Sequence, residues 1–600
     1  MTTAPHDPYH HLHDEAYADV YAAGRVGAHD MVAMAGRQVQ SLNGTWSFVL
    51  DLFDEGLRQR WFADVPCPAH AWTAPRDYDG GDWQPITTPS CWNLLKPEWF
   101  FFEGSAWYAR TLQIDAIAPG ERLKLRIGAA NYEARVFLNG RFTGSHRGGS
   151  TPFFIDITDT AHPGNNRLMI QVDNRRRSDA VPMHHIDWFN YGGLYRDVAL
   201  VRVPAVFIRD FAVTLVPGSD GRHIRADATL SAAVDGDGAL SIPGLGGPWP
   251  MAFKAGRGTV ELDARPELWS PAQPTLYDVA ISFEADRVSD RIGFRSVAVA
   301  GERILLNGRE IFLRGICVHE DDIATGKASS DHDIRHRFAD AKALGCNFMR
   351  LAHYPHHERA AAIADEVGML LWAEIPVYWA IDFSNPDTLA DAENQLSELI
   401  RRDRNRASVI IWGVGNENAD TDARLAFMGH LAAVAKREDP SRLVSAACLI
   451  NRQTFAIEDR LAEHLDIIGI NEYFGWYEPD FDGLRRLLAN STPGKPVIIT
   501  ETGADAVAGM FSTDGGLFSE ERQAAVYREQ LTILATAGYI RGICPWILYD
   551  FRSERRQTAF QRGWNRKGLI AGDKTTRKLA FHVLAAHYHN RMADQSSDSP

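Results

Sequence analysis

Two carboxylates stand out by their setting. Glu417 closes the stretch Ser408-Val409-Ile410-Ile411-Trp412-Gly413-Val414-Gly415-Asn416-Glu417, and Glu501 closes Pro496-Val497-Ile498-Ile499-Thr500-Glu501. Each follows a run of β-branched and apolar residues of the kind that forms a buried parallel strand. A carboxylate at the tip of such a strand is costly unless it is paired or has work to do. One strand-end glutamate could be a rim salt bridge. Two, both preceded by a polar Asn or Thr, point to acid–base chemistry. A protonated carboxyl donates to a leaving oxygen while an ionised one attacks an anomeric carbon. That is the requirement for cutting a glycosidic bond, and a separation of about 5 Å between them would mean retention of configuration.

Elements able to place both groups are visible from about residue 298 onward. Apolar strand-like runs alternate there with helical segments: 311–315, 347–351, 369–373, the Glu417 run, 443–447, 467–471, the Glu501 run and 542–547. Eight strands in about 290 residues is the count and length of a (β/α)8 TIM barrel, whose chemistry sits at C-terminal strand ends. Polar residues gather at those ends: His319-Glu320-Asp321, His353, Glu374, Asn416-Glu417, Asn471 and Glu501. Glu374 is the rival carboxylate, expected to pair with an Arg or His.

Residues 41–203 read as short alternating strands broken by turns, with Asn139-Gly140 a strong hairpin signal. They imply a β jelly roll, preceded by a polar arm rich in histidine (His6, His10, His11, His13) whose spacing matches no metal-ligand set. Residues 204–297 have the length and turn density of an immunoglobulin-like β-sandwich. The expected organisation is therefore 1–203, 204–297 and a catalytic barrel at 298–600.

The chain has 600 residues and a net charge of −14, which argues against nucleic acid and anionic membrane as partners. No run is apolar and long enough to span a bilayer, and the first residues lack the basic and apolar regions of a secretory signal. The six cysteines are scattered without a Cys-x-x-Cys pair. Free buried thiols and a cytoplasmic location are the expectation.

Several motifs together resemble glycoside hydrolase family 2. Gly415-Asn416-Glu417 and Thr500-Glu501-x-Gly503 are similar to its acid/base and nucleophile motifs. Leu42-Asn43-Gly44-Thr45-Trp46, Gly144 to Gly149, Gly192-Gly193-Leu194-Tyr195-Arg196, Leu268-Trp269-Ser270-Pro271 and Gly293-Phe294-Arg295 resemble its jelly-roll and sandwich domains. The resemblance implies Glu417 as acid/base, Glu501 as nucleophile and Asn416 as donor to the sugar 2-hydroxyl. It implies no cofactor or metal, and by analogy a homo-oligomer, a dimer or a tetramer.

Within the family, Asn565-Arg566-Lys567-Gly568 after the last strand resembles the uronate-recognition element of β-glucuronidases. An ammonium and an amide there can take a sugar carboxylate. Asn471-Glu472-Tyr473-Phe474-Gly475-Trp476-Tyr477 is similar to another glucuronidase stretch, with Tyr473 expected at the nucleophile and Tyr477 at the uronate end. Asp187 matches an aspartate that reaches the sugar from the jelly roll, His319-Glu320-Asp321 a stretch facing the same pocket, and Trp546 an aromatic floor. Departures are Thr502 where Tyr is usual, Gln561 where an Arg is usual, Ile547-Leu548-Tyr549 after Trp546, and a short loop at 322–330. A terminal β-D-glucuronide is the implied substrate. β-Galacturonide, β-galactoside and a catalytically silent carbohydrate-binding role are the alternatives.

Overall fold

The computed structural model describes residues 21–63 and 83–597. The histidine-rich arm and Cys67 lie outside the described residues.

Two antiparallel sheets face each other in the first part. One runs Val39–Ser41, Val198–Val203, Arg122–Ile127, Phe153–Asp156; the other has six strands centred on Ser105–Ile114 and Gly164–Asp173. Alternate residues, among them Trp46, Tyr108, Leu125, Val136, Ile170 and Leu200, fill the space between them, as the period of two requires. Asn139-Gly140 makes the expected tight hairpin. Leu138 pairs with Arg141, and both turn residues have positive φ, 50° and 75°, the pattern that matches strand twist.

The next unit is a seven-stranded antiparallel sheet from Ile208–Leu215 to Asp286–Ile292, wrapped around Phe211, Leu240, Phe253, Ile281 and Val288. Its first and last strands are joined through Asp286, whose carboxylate accepts from Ile208 N at 2.7 Å. That closes the sheet into a sandwich.

The barrel strands are all parallel. β1 is split into Leu313–Arg314 and Cys317–Val318; the others are β2 (Phe348–Leu351), β3 (Leu370–Glu374), β4 (Val409–Asn416), β5 (Leu443–Cys448), β6 (Ile468–Asn471), β7 (Val497–Glu501) and β8 (Ile540–Ile543). The first piece of β1 pairs with β8 and the second with β2, so the sheet closes. Side chains alternate. Phe348, Leu370, Trp372, Ile411, Ile498 and Cys544 pack together in one cluster, and Met349, Leu371, Val444 and Ile499 in another with the surrounding helices. Between β5 and β6 a single 3-10 turn, Arg460–His464, stands where a helix would be. Trp546 lies beyond the end of β8 rather than on it. Pro545 has no N–H to continue the ladder.

The described cysteines Cys91, Cys317, Cys346, Cys448 and Cys544 are free and buried. No described helix is long and apolar enough to cross a membrane.

One glycine on β4 explains why the run before Glu417 cannot be aliphatic throughout. A Cβ on Gly413 would sit 2.2 Å from Trp372 Nε1 and 2.6 Å from Glu374 Cβ on the neighbouring strand. Gly413→Ala must therefore displace Trp372 or Glu374, and should destabilise the protein by about 1–3 kcal/mol. The urea midpoint is the measurement; an unchanged midpoint would contradict this packing.

Candidate functional site

The strand tips converge on one buried arginine that the sequence reading passed over. Arg350, in the middle of β2, is fully buried and points into the barrel mouth. Its Nε and Nη2 donate to the Glu374 carboxylate at 3.0 and 3.1 Å, Nη1 to Glu501 at 3.0 Å and Nη2 to Asn416 Oδ1 at 2.8 Å. Arg350 is thus the hub that sets three strand-end side chains at once. The signal for it was a lone guanidinium inside the aliphatic run Phe348-Met349-Arg350-Leu351. Glu374 takes the role expected of it, held by Arg350 and by His353 Nδ1 at 2.8 Å.

Glu501 is buried at the end of β7. Besides Arg350 it accepts from the Tyr473 hydroxyl at 2.6 Å, and His353 Nε2 lies 3.6 Å away. Burial and the charge of Glu417 push its carboxyl up to about 8, against the pull of Arg350 and Tyr473. Glu417, one residue past β4 and half-buried, has a left-handed backbone, φ 53°. Trp379, also left-handed at φ 52°, donates its indole N–H to Glu417 Oε2 at 2.7 Å. Trp379 is the second residue sequence reasoning missed; nothing in its local pattern marks it. Glu417 and Glu501 both lie at the barrel mouth, the candidate pocket, within electrostatic reach of Tyr473 and Tyr378.

Asn416 ends β4 at the same barrel mouth. Its Oδ1 is used by Arg350 and by Asn471 Nδ2 at 3.3 Å, while its buried Nδ2 makes no hydrogen bond to any described residue. Asn471 itself is spent on support. Its Oδ1 accepts from Thr500 at 2.7 Å and its Nδ2 serves Asn416.

His319 offers a similar free atom. Nδ1 meets the Tyr354 hydroxyl at 3.1 Å and buried Nε2 has no described partner. Burial holds His319 and His353 neutral, well below the ordinary imidazole range. Trp546 stacks on His353 with ring centres 4.9 Å apart and meets His319 edge-on. The rest of the His-Glu-Asp stretch does not face the pocket. Glu320 pairs with Arg196 of the jelly roll at 2.9 Å and Asp321 with Tyr191 and Arg552. A buried carboxylate goes where a cation can neutralise it, and here that is the domain interface.

The opposite end of the pocket is cationic. Lys567 is buried, and its ammonium lies 2.7 Å from Asp505 Oδ2 and 2.8 Å from the Tyr477 hydroxyl. The sequence reading left this ammonium without a counter-ion; Asp505 supplies one. Burial works against the charged lysine, but Asp505 and Tyr477 more than offset it, so Lys567 stays above its ordinary value. Arg556 comes in beside it, donating to Tyr477 at 3.0 Å and gripping Asp187 through Nε at 3.0 and 3.1 Å and through Nη2. Asp187 also accepts from Ser553 at 2.6 Å and from Asn565 Nδ2 at 3.4 Å. This end of the pocket thus has an arginine, Arg556, although position 561 is Gln. Gln561 instead donates to Asp505 at 3.1 Å, and Arg562 is exposed. Asp505 and Arg556 escaped the sequence reading because their partners are remote in the chain.

Three family models match: the family 2 sugar-binding domain over residues 39–204, a family 2 domain over 252–295 and the family 2 TIM-barrel domain over 297–591. The chain belongs to glycoside hydrolase family 2. This glycoside hydrolase is 28% identical to a β-glucuronidase of Paenibacillus borealis, over 92% of this chain and 97% of that one. Among solved structures, it resembles a β-galacturonidase from Eisenbergiella tayi bound to galacturonate, at 26% identity and TM-score 0.79, covering 92% of this chain and 97% of that chain. It also resembles a β-glucuronidase of an uncultured Clostridium species at 25% identity and TM-score 0.81, with 92% and 98% covered.

The Lys567–Asp505 pair has a testable energetic consequence. Asp505→Asn strands a buried ammonium and should cost about 3–5 kcal/mol. The double variant Asp505→Asn/Lys567→Met removes the stranded charge and should unfold at higher urea than Asp505→Asn alone. A double variant less stable than the single one would refute the pairing.

Proposed function

We propose that this family 2 enzyme is a retaining exo-β-glucuronidase that releases terminal β-D-glucuronate by double displacement. One observation carries the reading: Tyr473, bonded to Glu501, packs edge-on against Tyr477 with ring centres 5.3 Å apart, and Tyr477 is bonded by Lys567 and Arg556, so the cationic cluster stands one side chain from the glutamate. Glu501, fed by Arg350 and Tyr473, attacks the anomeric carbon as an anion. Glu417 protonates the departing oxygen and then, as a base, activates water for the second displacement. The amide of Asn416 is free to bind the 2-hydroxyl, and Trp546 with His319 and His353 forms the aromatic floor. The sugar carboxylate meets Lys567 Nζ and the Tyr477 hydroxyl, with Asn565 beside them. Asp187 and Arg556 close that end, which limits cleavage to chain ends.

The nucleophile must be ionised to attack, and burial together with the charge of Glu417 holds the Glu501 carboxyl up to about 8 in the free enzyme. kcat/KM should therefore rise with pH toward about 8 as Glu501 loses its proton. In Glu417→Gln the repulsion disappears and Glu501 ionises at lower pH. With a 2,4-dinitrophenyl leaving group, which needs no acid, the rising limb of that variant should lie at lower pH than in the wild type. A limb unmoved in Glu417→Gln would contradict the coupling of the two carboxylates.

The galacturonide reading is favoured by one specific observation, the likeness to the Eisenbergiella tayi β-galacturonidase. The epimers share the carboxylate and differ at the 4-hydroxyl. The deciding experiment compares the 4-nitrophenyl β-D-glucuronide, β-D-galacturonide and β-D-galactoside. The glucuronide should be the best substrate, and Lys567→Ala should lower kcat/KM on uronides by about tenfold or more relative to the galactoside, through loss of a charge-assisted bond worth about 1.5–3 kcal/mol. Equal losses on charged and neutral sugars would overturn the uronate assignment.

A further inference from the structure

Arg555, next to Arg556, does something different with its charge. It is exposed, and its guanidinium lies over the Trp379 indole, 4.6 Å from the ring centre. Its neighbours are committed: Arg556 to Asp187 and Tyr477, and Glu554 to Arg176. Among the described residues Arg555 itself has no ion pair and no hydrogen bond, and the ring of Trp379 is what it rests on.

Trp379 is not an arbitrary platform. Its N–H holds Oε2 of Glu417, which leaves Oε1 for the glycosidic oxygen. Whatever Glu417 protonates therefore departs past this indole. Stacking an arginine on an aromatic face stabilises the cation without neutralising it. The guanidinium keeps its fork of donors, which matches a carboxylate or sulfate in two-point geometry. An uncompensated cation on the leaving-group side is also conspicuous in a chain of net charge −14.

We propose that Arg555 and Trp379 form a leaving-group subsite that selects acidic aglycones, the anion being carried by an acidic second sugar or by an acidic aryl group. The inference rests on Glu417 as the acid/base. It is independent of which sugar fills the glycone pocket.

The test compares matched pairs on the glycone the enzyme turns over best. One pair is the 4-carboxyphenyl and phenyl glycosides; the other is a disaccharide ending in a uronate and its counterpart ending in glucose. Wild-type enzyme at low salt should prefer the acidic member. In Arg555→Gln the acidic-to-neutral ratio of kcat/KM should fall about fivefold, the scale of one exposed charge pair, and added salt should reduce the wild-type preference in the same direction. A fall in the aryl pair alone assigns the subsite to acidic aryl groups; a fall in the disaccharide pair assigns it to acidic sugars. A ratio unchanged in both pairs overturns the proposal. Absence of turnover of every member by wild-type enzyme overturns both this proposal and the role of Glu417.

Discussion

A single buried guanidinium, Arg350, sets the geometry of this molecule's site. It is entirely enclosed, yet meets two carboxylates, an amide and the Thr500 carbonyl. Such a group is tolerated only if every bond is made, because an uncompensated charge at that depth costs several kcal/mol. The consequence is mutual rigidity. Glu374 fixes the guanidinium, the guanidinium fixes Glu501, and the same fork takes Asn416 Oδ1, leaving the buried Asn416 Nδ2 without a described partner. The barrel supplies the frame: β3, β4 and β7 end in the Glu374, Asn416 and Glu501 side chains that Arg350 of β2 holds, and Gly413 on β4 leaves room for Glu374 and Trp372.

The far end of the pocket follows the same logic with a different pair. Lys567 is held by Asp505, and Arg556 by Asp187, so each cation there has one internal anion before a substrate arrives. A bound carboxylate would share these cations rather than neutralise them alone. Because Asp187 comes from the jelly roll and Arg556 from the loop after β8, this end of the pocket exists only when the two domains are docked. The buried Arg196–Glu320 pair and the Tyr191–Asp321–Arg552 cluster join the same faces. The residues of the His-Glu-Asp stretch that turn from the sugar pocket thus serve its construction.

Much of this was legible in the amino-acid order. Alternating strands, the Asn139-Gly140 turn and the eight apolar runs each report a local physical requirement, and the architecture follows from them. Glu417 and Glu501 were readable because a carboxylate after an aliphatic run is an anomaly with few explanations. Partnerships were not readable. Nothing local says that Arg350 bonds Glu501, 151 residues away, or that Arg556 grips Asp187 of the jelly roll. Trp379 is a plain aromatic in sequence and a holder of the acid/base candidate in space. Strand ends shifted by a few residues where backbone chemistry intervened, as at Pro545.

The central claim is that Glu501, not Glu417 or Glu374, forms the bond to the sugar. Inactivation with 2-deoxy-2-fluoro-β-D-glucuronosyl fluoride, followed by peptide mapping, tests it most directly. The fluorine slows breakdown of the glycosyl-enzyme more than the activated leaving group slows its formation, so the adduct accumulates. The account predicts one label per chain on the peptide carrying Glu501. A label on Glu417 or Glu374, or turnover that releases the α-anomer first, would contradict it.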